Sequence, residues 1–396
     1  MRSHLWNTSE LDLVRETARR FYEVEMVPNE DRWGKQQHVD RELWFKAAEV
    51  GLLLPGIPEQ YGGGGGSFLH EAIIFSEQSR AICPGLGNSV HSGIVAHYLK
   101  NFASEEQKLD WLPRMARGDL IAGLAMTEPG TGSDLQNIRT QAVSDGDHYV
   151  VNGAKTYVTN GSSANLICLV VKTNVALGAA GISILVVETD EVQGLRRGRP
   201  LSKIGLHAQD TSELFFDDMR VAKRNLLGPR EGEGFKQLMK ELPRERLITS
   251  LSALASMERA IEEALAFVAQ RKVFGGPLMA VQNTRLKLAE CETKASLARA
   301  FIDACVEALL AGRLHPADSA MAKWWATQAC GEVVDECLQL HGGAGYMTEY
   351  PIARLYQNVR ASRILAGSNE IMKELIARRL ESEISNARIY VKEGSV

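Results

Sequence analysis

Three dipeptides, Asp145-Gly146, Asn152-Gly153 and Asn160-Gly161, lie in one stretch of the chain among short β-branched runs. Asx-Gly pairs supply the positive-φ residues that tight hairpins require. The runs are Tyr149–Val151, Leu166–Val171, Ile182–Glu188 and Glu213–Phe216. Their spacing predicts a small antiparallel sheet or barrel rather than βαβ units. Helical periodicity brackets this block on both sides. Upstream it covers residues 9–27, Glu42–Val50 (stopped by Gly51), Phe68–Arg80, Val90–Phe102 and Glu105–Arg117. Downstream, Leu247, Leu251, Leu254, Ile261, Leu265 and Val268 form an apolar stripe. Further helices are expected over Leu278–Ala311, Pro316–Leu340 and Asn369–Ser385. A chain of 396 residues exceeds the size of one ordinary core. The expectation is three domains: helical 1–122, β 123–235 and a helical bundle 236–396.

Several function classes are disfavoured. Net charge is −4 and no long basic run occurs, so nucleic acid is not an expected partner. The six cysteines show neither a C-x-x-C pair nor zinc spacing and read as buried reduced thiols. The first ten residues are polar, without a signal-like apolar core, and no apolar run approaches a membrane span. A reducing cytoplasm is the expected location. The run Gly62–Gly66 fits neither G-x-G-x-x-G nor G-x-x-x-x-G-K-[ST] and reads as a flexible turn. Asp210–Asp218 is acid-rich, but its alternating apolar residues read more simply as a strand than as a metal site.

The stretch Met126-Thr127-Glu128-Pro129-Gly130-Thr131-Gly132-Ser133-Asp134 concentrates glycine, proline and hydroxyl groups. Taken alone it is either a polar turn or a loop aiming N–H and O–H groups at one flat polar object. Read with its context, Leu124–Asp134 resembles the first signature of the acyl-CoA dehydrogenase family. Gln339-Leu340-His341-Gly342-Gly343-Ala344-Gly345-Tyr346, with Tyr350-Pro351 and Arg354, resembles the second. Tyr157–Gly161, Gln209–Thr211 and Arg271–Gly275 fall between them in the family's order.

The resemblance spans nearly the whole chain and is strongest to the long-chain type. It implies an α-helical N-terminal domain, a middle β domain and a C-terminal four-helix bundle, assembled as a homotetramer with FAD. It also implies oxidation of an acyl-CoA thioester to trans-2-enoyl-CoA, with an electron-transfer flavoprotein as acceptor. By the same resemblance Met126, Thr127, Ser133, Tyr157 and Thr159 meet the flavin ring, Ser133 at the boundary with CoA. Arg271, Phe274, Gln282, Gln339, Gly342 and Gly343 match residues holding the adenosine diphosphate half from a neighbouring subunit. Ser368 and Glu370 match further flavin-contacting positions.

One departure decides the base. Many relatives carry a catalytic glutamate in Tyr-Glu-Gly-Thr, and here the segment is Leu365-Ala366-Gly367-Ser368. Alanine cannot accept a proton. Glu245, in Glu241-Leu242-Pro243-Arg244-Glu245-Arg246-Leu247, is the candidate, matching long-chain and isovaleryl-type relatives. Its bland reading is a first-turn glutamate following Pro243. The resemblance puts Arg246, Ala366 and Gly367 beside the substrate, Ala366 through its backbone N–H. Two other readings stay open: a flavin monooxygenase or oxidase on the same fold, and a non-catalytic flavoprotein.

Overall fold

The computed structural model describes residues 6–393. The chain divides into two compact units, residues 6–241 and residues 242–393.

The first unit opens with helices α1 (Ser9–Phe21), α2 (Glu30–Gln36), α3 (Arg41–Glu49) and α4 (Phe68–Arg80). α5 (Asn88–Val90) runs through a π turn, His91–Val95, into α6 (Ala96–Phe102), and α7 (Glu105–Ala116) follows. Sequence-local caps fix several starts: Thr8 accepts from Leu11 N, and Ser67/His70 and Ser104/Gln107 form capping boxes. Between α3 and α4, Gly62–Gly66 is a tightly bonded knot rather than a flexible turn. The N–H groups of Gly64, Gly65 and Gly66 donate to the carbonyls of Leu54, Ile57 and Pro55 at 3.1, 2.8 and 2.9 Å. A Cβ on Gly63 would lie 2.2 Å from Ile57 O. Glycine is required there for close backbone approach.

His91 joins this helical layer to the sheet. Its Nδ1 accepts from Ala122 N at 3.0 Å and its Nε2 donates to Met115 O at 3.2 Å. Its ring meets Trp44 edge-to-face at 5.1 Å. Burial pushes the imidazole down to about 3, so it is neutral in the fold. The unfolded chain therefore binds a proton below the ordinary histidine value of about 6.5 that the fold does not. Stability from His91 is full above that value and is lost as pH falls toward 3, on the order of 5 kcal/mol at the limit. Melting temperatures of wild type and His91→Gln between pH 7 and 4 check this. The wild-type curve should be steeper by up to one proton, and parallel curves would contradict a neutral buried imidazole.

The β region holds β1 (Ala122–Ala125), β2 (Gln141–Asp145), β3 (His148–Thr159), β4 (Leu166–Lys172), β5 (Ile182–Glu188), β6 (Leu195–Arg197) and β7 (Thr211–Ala222). They form one sheet in the order β1-β4-β2-β3-β7-β6, with β5 paired to β4. Most pairs are antiparallel, as expected from the turns, but β4 pairs in parallel with β2, at Gln141 and Lys172, and with β1. The long β1–β4 connection, containing the β2–β3 hairpin, makes the parallel return beside β1 possible. The three turn dipeptides meet different fates. The β2–β3 hairpin closes through Gly146 and Asp147, since Asp145 pairs with His148. Asn152-Gly153 is not a turn; it sits inside β3 at a register shift against β7. Gly153 has φ +148°, and a Cβ there would lie 2.6 Å from Thr140 Oγ1, so this glycine serves a bulge. Asn160 does end its strand, at φ +64°. Val151, Val158, Ile167, Leu169, Leu185 and Leu214 fill the sheet's core. Glu188 on β5 accepts from Trp111 Nε1 and Arg114 Nη2 of α7 at 2.8 and 2.7 Å, tying the helices to the sheet. Asp210 accepts from Ser162 N, Ser163 N and the Ser212 hydroxyl, a structural role.

The second unit is built on α8 (Gly234–Gln270) from Leu242 onward, α9 (Gln282–Leu310), α10 (Pro316–Leu340), α11 (Pro351–Val359) and α12 (Asn369–Glu393). α10 packs against α9, α11 and α12. Lys287–Glu336 at 2.9 Å and Lys294–Glu332 at 2.6 Å link α9 to α10, and Arg299–Glu258 links α9 to α8. Two elements escaped the periodicity reading: α11, and a hairpin of β8 (Lys272–Val273) and β9 (Gly276–Pro277). All six cysteines are buried and unbridged. Among the described residues no helix is long and apolar enough to cross a membrane, and no cluster of His, Cys, Asp or Glu could hold a metal ion.

Candidate active site

In the first unit, the residues after β1 form a braced loop. Glu128 and Thr131 exchange backbone hydrogen bonds at 2.9 and 3.0 Å across Pro129-Gly130. The Glu128 carboxylate points inward. It accepts from Arg139 N at 2.6 Å, Thr140 N at 2.9 Å and Lys155 Nζ at 2.8 Å. Lys155, fully buried, also donates to Met126 O at 3.0 Å. Burial works against the Glu128 charge, but Lys155 and the two backbone donors outweigh it and hold the carboxyl below its usual range. Burial pushes the Lys155 ammonium down to about 8, with Glu128 opposing. Glu128 is thus the loop's internal anchor.

The anchor aligns two expected segments. Lys155 grips Met126 O, and Thr156 N donates to Thr127 O at 2.9 Å, so the residue before Tyr157 is tied directly to Thr127. Tyr157 takes a left-handed backbone, φ +58°, and the residue is 68% exposed. Thr159, at the end of β3, pairs with Thr211. Ser133 is exposed on the loop. A Cβ on Gly130 or Gly132 would meet no atom within 4 Å, so the protein leaves that side of the loop open.

In the second unit, Glu245 and Arg246 lie on α8, each only 6% exposed. Pro243 is inside the helix, well past its start at Gly234. Glu245 is therefore not a first-turn glutamate, and the dipole explanation for it falls away. Burial lowers the Arg246 pKa while Glu245 raises it. Arg246 Nε is buried with no acceptor among the described residues.

The Leu365–Ser368 segment precedes α12. Ala366 and Gly367 are both left-handed, at φ +55° and +85°. Leu365 N donates to Ala361 O at 3.1 Å. Among the described residues nothing accepts from Ala366 N. Glu370 is exposed in the first turn of α12, where its own N–H and Ser368 hold the carboxyl below its usual range.

The remaining expected residues form two exposed groups. Arg271 precedes the β8–β9 hairpin, and Phe274-Gly275 form its turn with φ +48° and +85°. Both positive angles match a type I′ turn. Gln282 starts α9. Gln339 ends α10 with Leu340, and Gly342 and Gly343 begin the turn beyond. That turn is fastened by His341, unassigned in the sequence reading. Its Nδ1 donates to Cys337 O at 2.7 Å, and its ring lies 4.5 Å from Phe267. Gly342 and Gly343 would have no atom within 4 Å of a Cβ, whereas Gly345 would strike Leu338 O at 2.5 Å.

Family models for the N-terminal, middle and C-terminal domains of acyl-CoA dehydrogenase match residues 8–119, 123–219 and 232–381. The chain belongs to the acyl-CoA dehydrogenase family. It is 46% identical to the mitochondrial long-chain specific acyl-CoA dehydrogenase of Sus scrofa, over 94% of this chain and 87% of that one. It superposes on the crystal structure of an acyl-CoA dehydrogenase from Geobacillus kaustophilus with a TM-score of 0.92 and 43% identity, over 95% and 99% of the two chains. A glutaryl-CoA dehydrogenase from Mycobacterium smegmatis, solved in complex with FADH2, gives a TM-score of 0.89 and 26% identity, covering 96% of each chain. The helix–sheet–helix order of this acyl-CoA dehydrogenase family member is therefore the family fold, and the chain is an oxidoreductase.

Proposed function

We propose that the chain is an FAD-dependent acyl-CoA dehydrogenase in which Glu245 removes the Cα proton. The observation carrying this reading is Glu245 itself: a buried carboxylate in a helix interior, in a chain whose other candidate position is Ala366. FAD is supported by the open side of the Met126–Asp134 loop, the exposed Tyr157 next to the residue that bonds Thr127, and the relative solved with FADH2. Met126, Thr127, Ser133, Tyr157 and Thr159 hold the ring, and Ser368 and Glu370 contact it further. Arg271, Phe274, Gln282, Gln339, Gly342 and Gly343 hold the adenosine diphosphate half of a neighbouring subunit's cofactor in a homotetramer. Arginine and open glycine backbone suit a pyrophosphate. When bound, the flavin would supply the two-electron acceptor for the hydride leaving Cβ, and an electron-transfer flavoprotein would take up the electrons.

The chain's own residues do the rest. Glu245 takes the Cα proton, which is acidic only if charge on the thioester oxygen is stabilised. Ala366 N, without a protein acceptor, donates to that oxygen. Arg246, with its buried unpartnered Nε, orients Glu245 and the substrate beside Gly367. The long-chain relative makes long acyl chains the first class to test.

The test is anaerobic titration of the holoenzyme with saturated acyl-CoAs of graded length and branching. Stoichiometric loss of the oxidised-flavin absorbance, with enoyl-CoA formed, is expected. Rapid oxygen consumption by the reduced protein would instead favour the monooxygenase or oxidase reading. No bleaching by any thioester would leave a non-catalytic flavoprotein.

A further inference from the structure

We propose that Lys323 is a positioning residue for the substrate carbonyl: from inside α10 it clamps the Ala366–Gly367 turn and fixes the Ala366 N–H. This inference rests on the acyl-CoA reading above and concerns a residue that acts through the turn it holds.

Lys323 is completely buried. Its Nζ donates to Gly367 O at 2.7 Å and to Asn369 Oδ1 at 3.0 Å. Thr327, one turn further along α10, shares its hydroxyl proton between Lys323 O at 2.8 Å and the same Asn369 oxygen at 3.0 Å. Asn369 is itself buried and is the first residue of α12. The ammonium therefore holds both the carbonyl after Ala366 and the start of the following helix.

A buried ammonium is costly unless it is bonded. Burial pushes Lys323 down to about 8, Arg246 adds to the effect, and Glu370 opposes it. An apolar residue would remove that cost, so the bonds it makes are what keep a lysine here. They are also placed where the backbone most needs holding. Ala366 is a non-glycine residue at φ +55°, a conformation that costs about 1–2 kcal/mol for an L-residue. Upstream, Leu365 N bonds to Ala361 O; downstream, Gly367 O bonds to Lys323. These two bonds bracket the Ala366 N–H, which has no acceptor of its own. A donor preset in this way needs no reorganisation when charge grows on the carbonyl oxygen. Without the clamp the strained turn can relax, and an ångström of displacement suffices for about 10²-fold in rate.

The test uses FAD-loaded wild type, Lys323→Met and Thr327→Val with a 3-thia-acyl-CoA, which has an ionisable Cα–H but no Cβ hydrogen to transfer. The isotope-edited infrared band of the bound thioester carbonyl reports polarisation directly. Exchange of the Cα protons with deuterium oxide reports its consequence. In Lys323→Met the band should move toward the free-thioester frequency, with exchange about 10–100-fold slower and ligand affinity changed far less. Thr327→Val should move both readouts in the same direction by less. Should Lys323→Met not fold, Lys323→Gln, too short to reach both acceptors, carries the test with the same expectation. A band and exchange rate like wild type in the folded Lys323 variant would overturn the proposal, whatever its melting temperature. A wild-type band at the free-thioester frequency would instead sink the underlying acyl-CoA reading.

Discussion

Glu245→Gln is expected to keep its FAD while reduction by acyl-CoA slows by about 10²–10⁴-fold, the usual contribution of a positioned general base. The substitution is nearly isosteric. It keeps a polar side chain at a buried position on α8 beside Arg246, so folding and cofactor binding should persist. What it removes is the basicity that takes the proton, since a neutral carboxamide oxygen is too weak a base. Anaerobic stopped-flow reduction measures the loss, with flavin-to-protein ratio and melting temperature as controls. Glu245→Asp should fall between the two, because one fewer methylene withdraws the carboxylate without abolishing it. Reduction of Glu245→Gln at the wild-type rate would move the base elsewhere, and no carboxylate at Ala366 could take its place.

The second large effect is expected beneath the Met126–Asp134 loop. Lys155→Met leaves the Glu128 carboxylate buried with only the Arg139 and Thr140 N–H groups. Breaking one side of a buried ion pair costs about 3–5 kcal/mol. It also releases Met126 O, so FAD retention should fall with stability. Glu128→Gln should cost less. Its stranded partner is a lysine already pushed down to about 8, which can shed its proton and remain a neutral donor. The double variant Glu128→Gln/Lys155→Met should recover part of the Lys155→Met loss. Urea unfolding of the four proteins measures the cycle. Single variants within about 0.5 kcal/mol of wild type, the range of ordinary surface changes, would mean that the pair does not brace the loop.

These residues show where sequence was informative. Phe68–Arg80 and Pro316–Leu340 coincide with the expected helices because their ends carry local chemistry, a capping box in one and proline at the first position in the other. Signals that depend on distant partners were less clear. Asn152-Gly153 has the composition of a hairpin turn, but Thr140 packed against Gly153 makes it a bulge. Pro243 looks like a helix start and is an interior residue of α8. That difference strengthens the case for Glu245, since it removes the alternative account of it. The Met126–Asp134 loop was readable as a motif, yet its brace was not, because Lys155 lies 27 residues from Glu128. Lys323 is similarly silent: a lysine on a helix reads as surface until Gly367, 44 residues away, is seen at its ammonium. His341 was quoted within its motif, but its hold on Phe267 appears only in three dimensions.

The buried thiols turn the molecule into its own reporter of opening. Cys168, Cys305 and Cys330 are each pushed up to about 12 by burial, so thiolate is scarce as well as shielded. An alkylating reagent at neutral pH can reach such a sulfur only after the surrounding segment opens. Cys83 and Cys168 belong to residues 6–241, and the other four to residues 242–393. Labelling kinetics resolved by peptide would therefore time the opening of each unit separately in the unmodified protein, with no introduced probe.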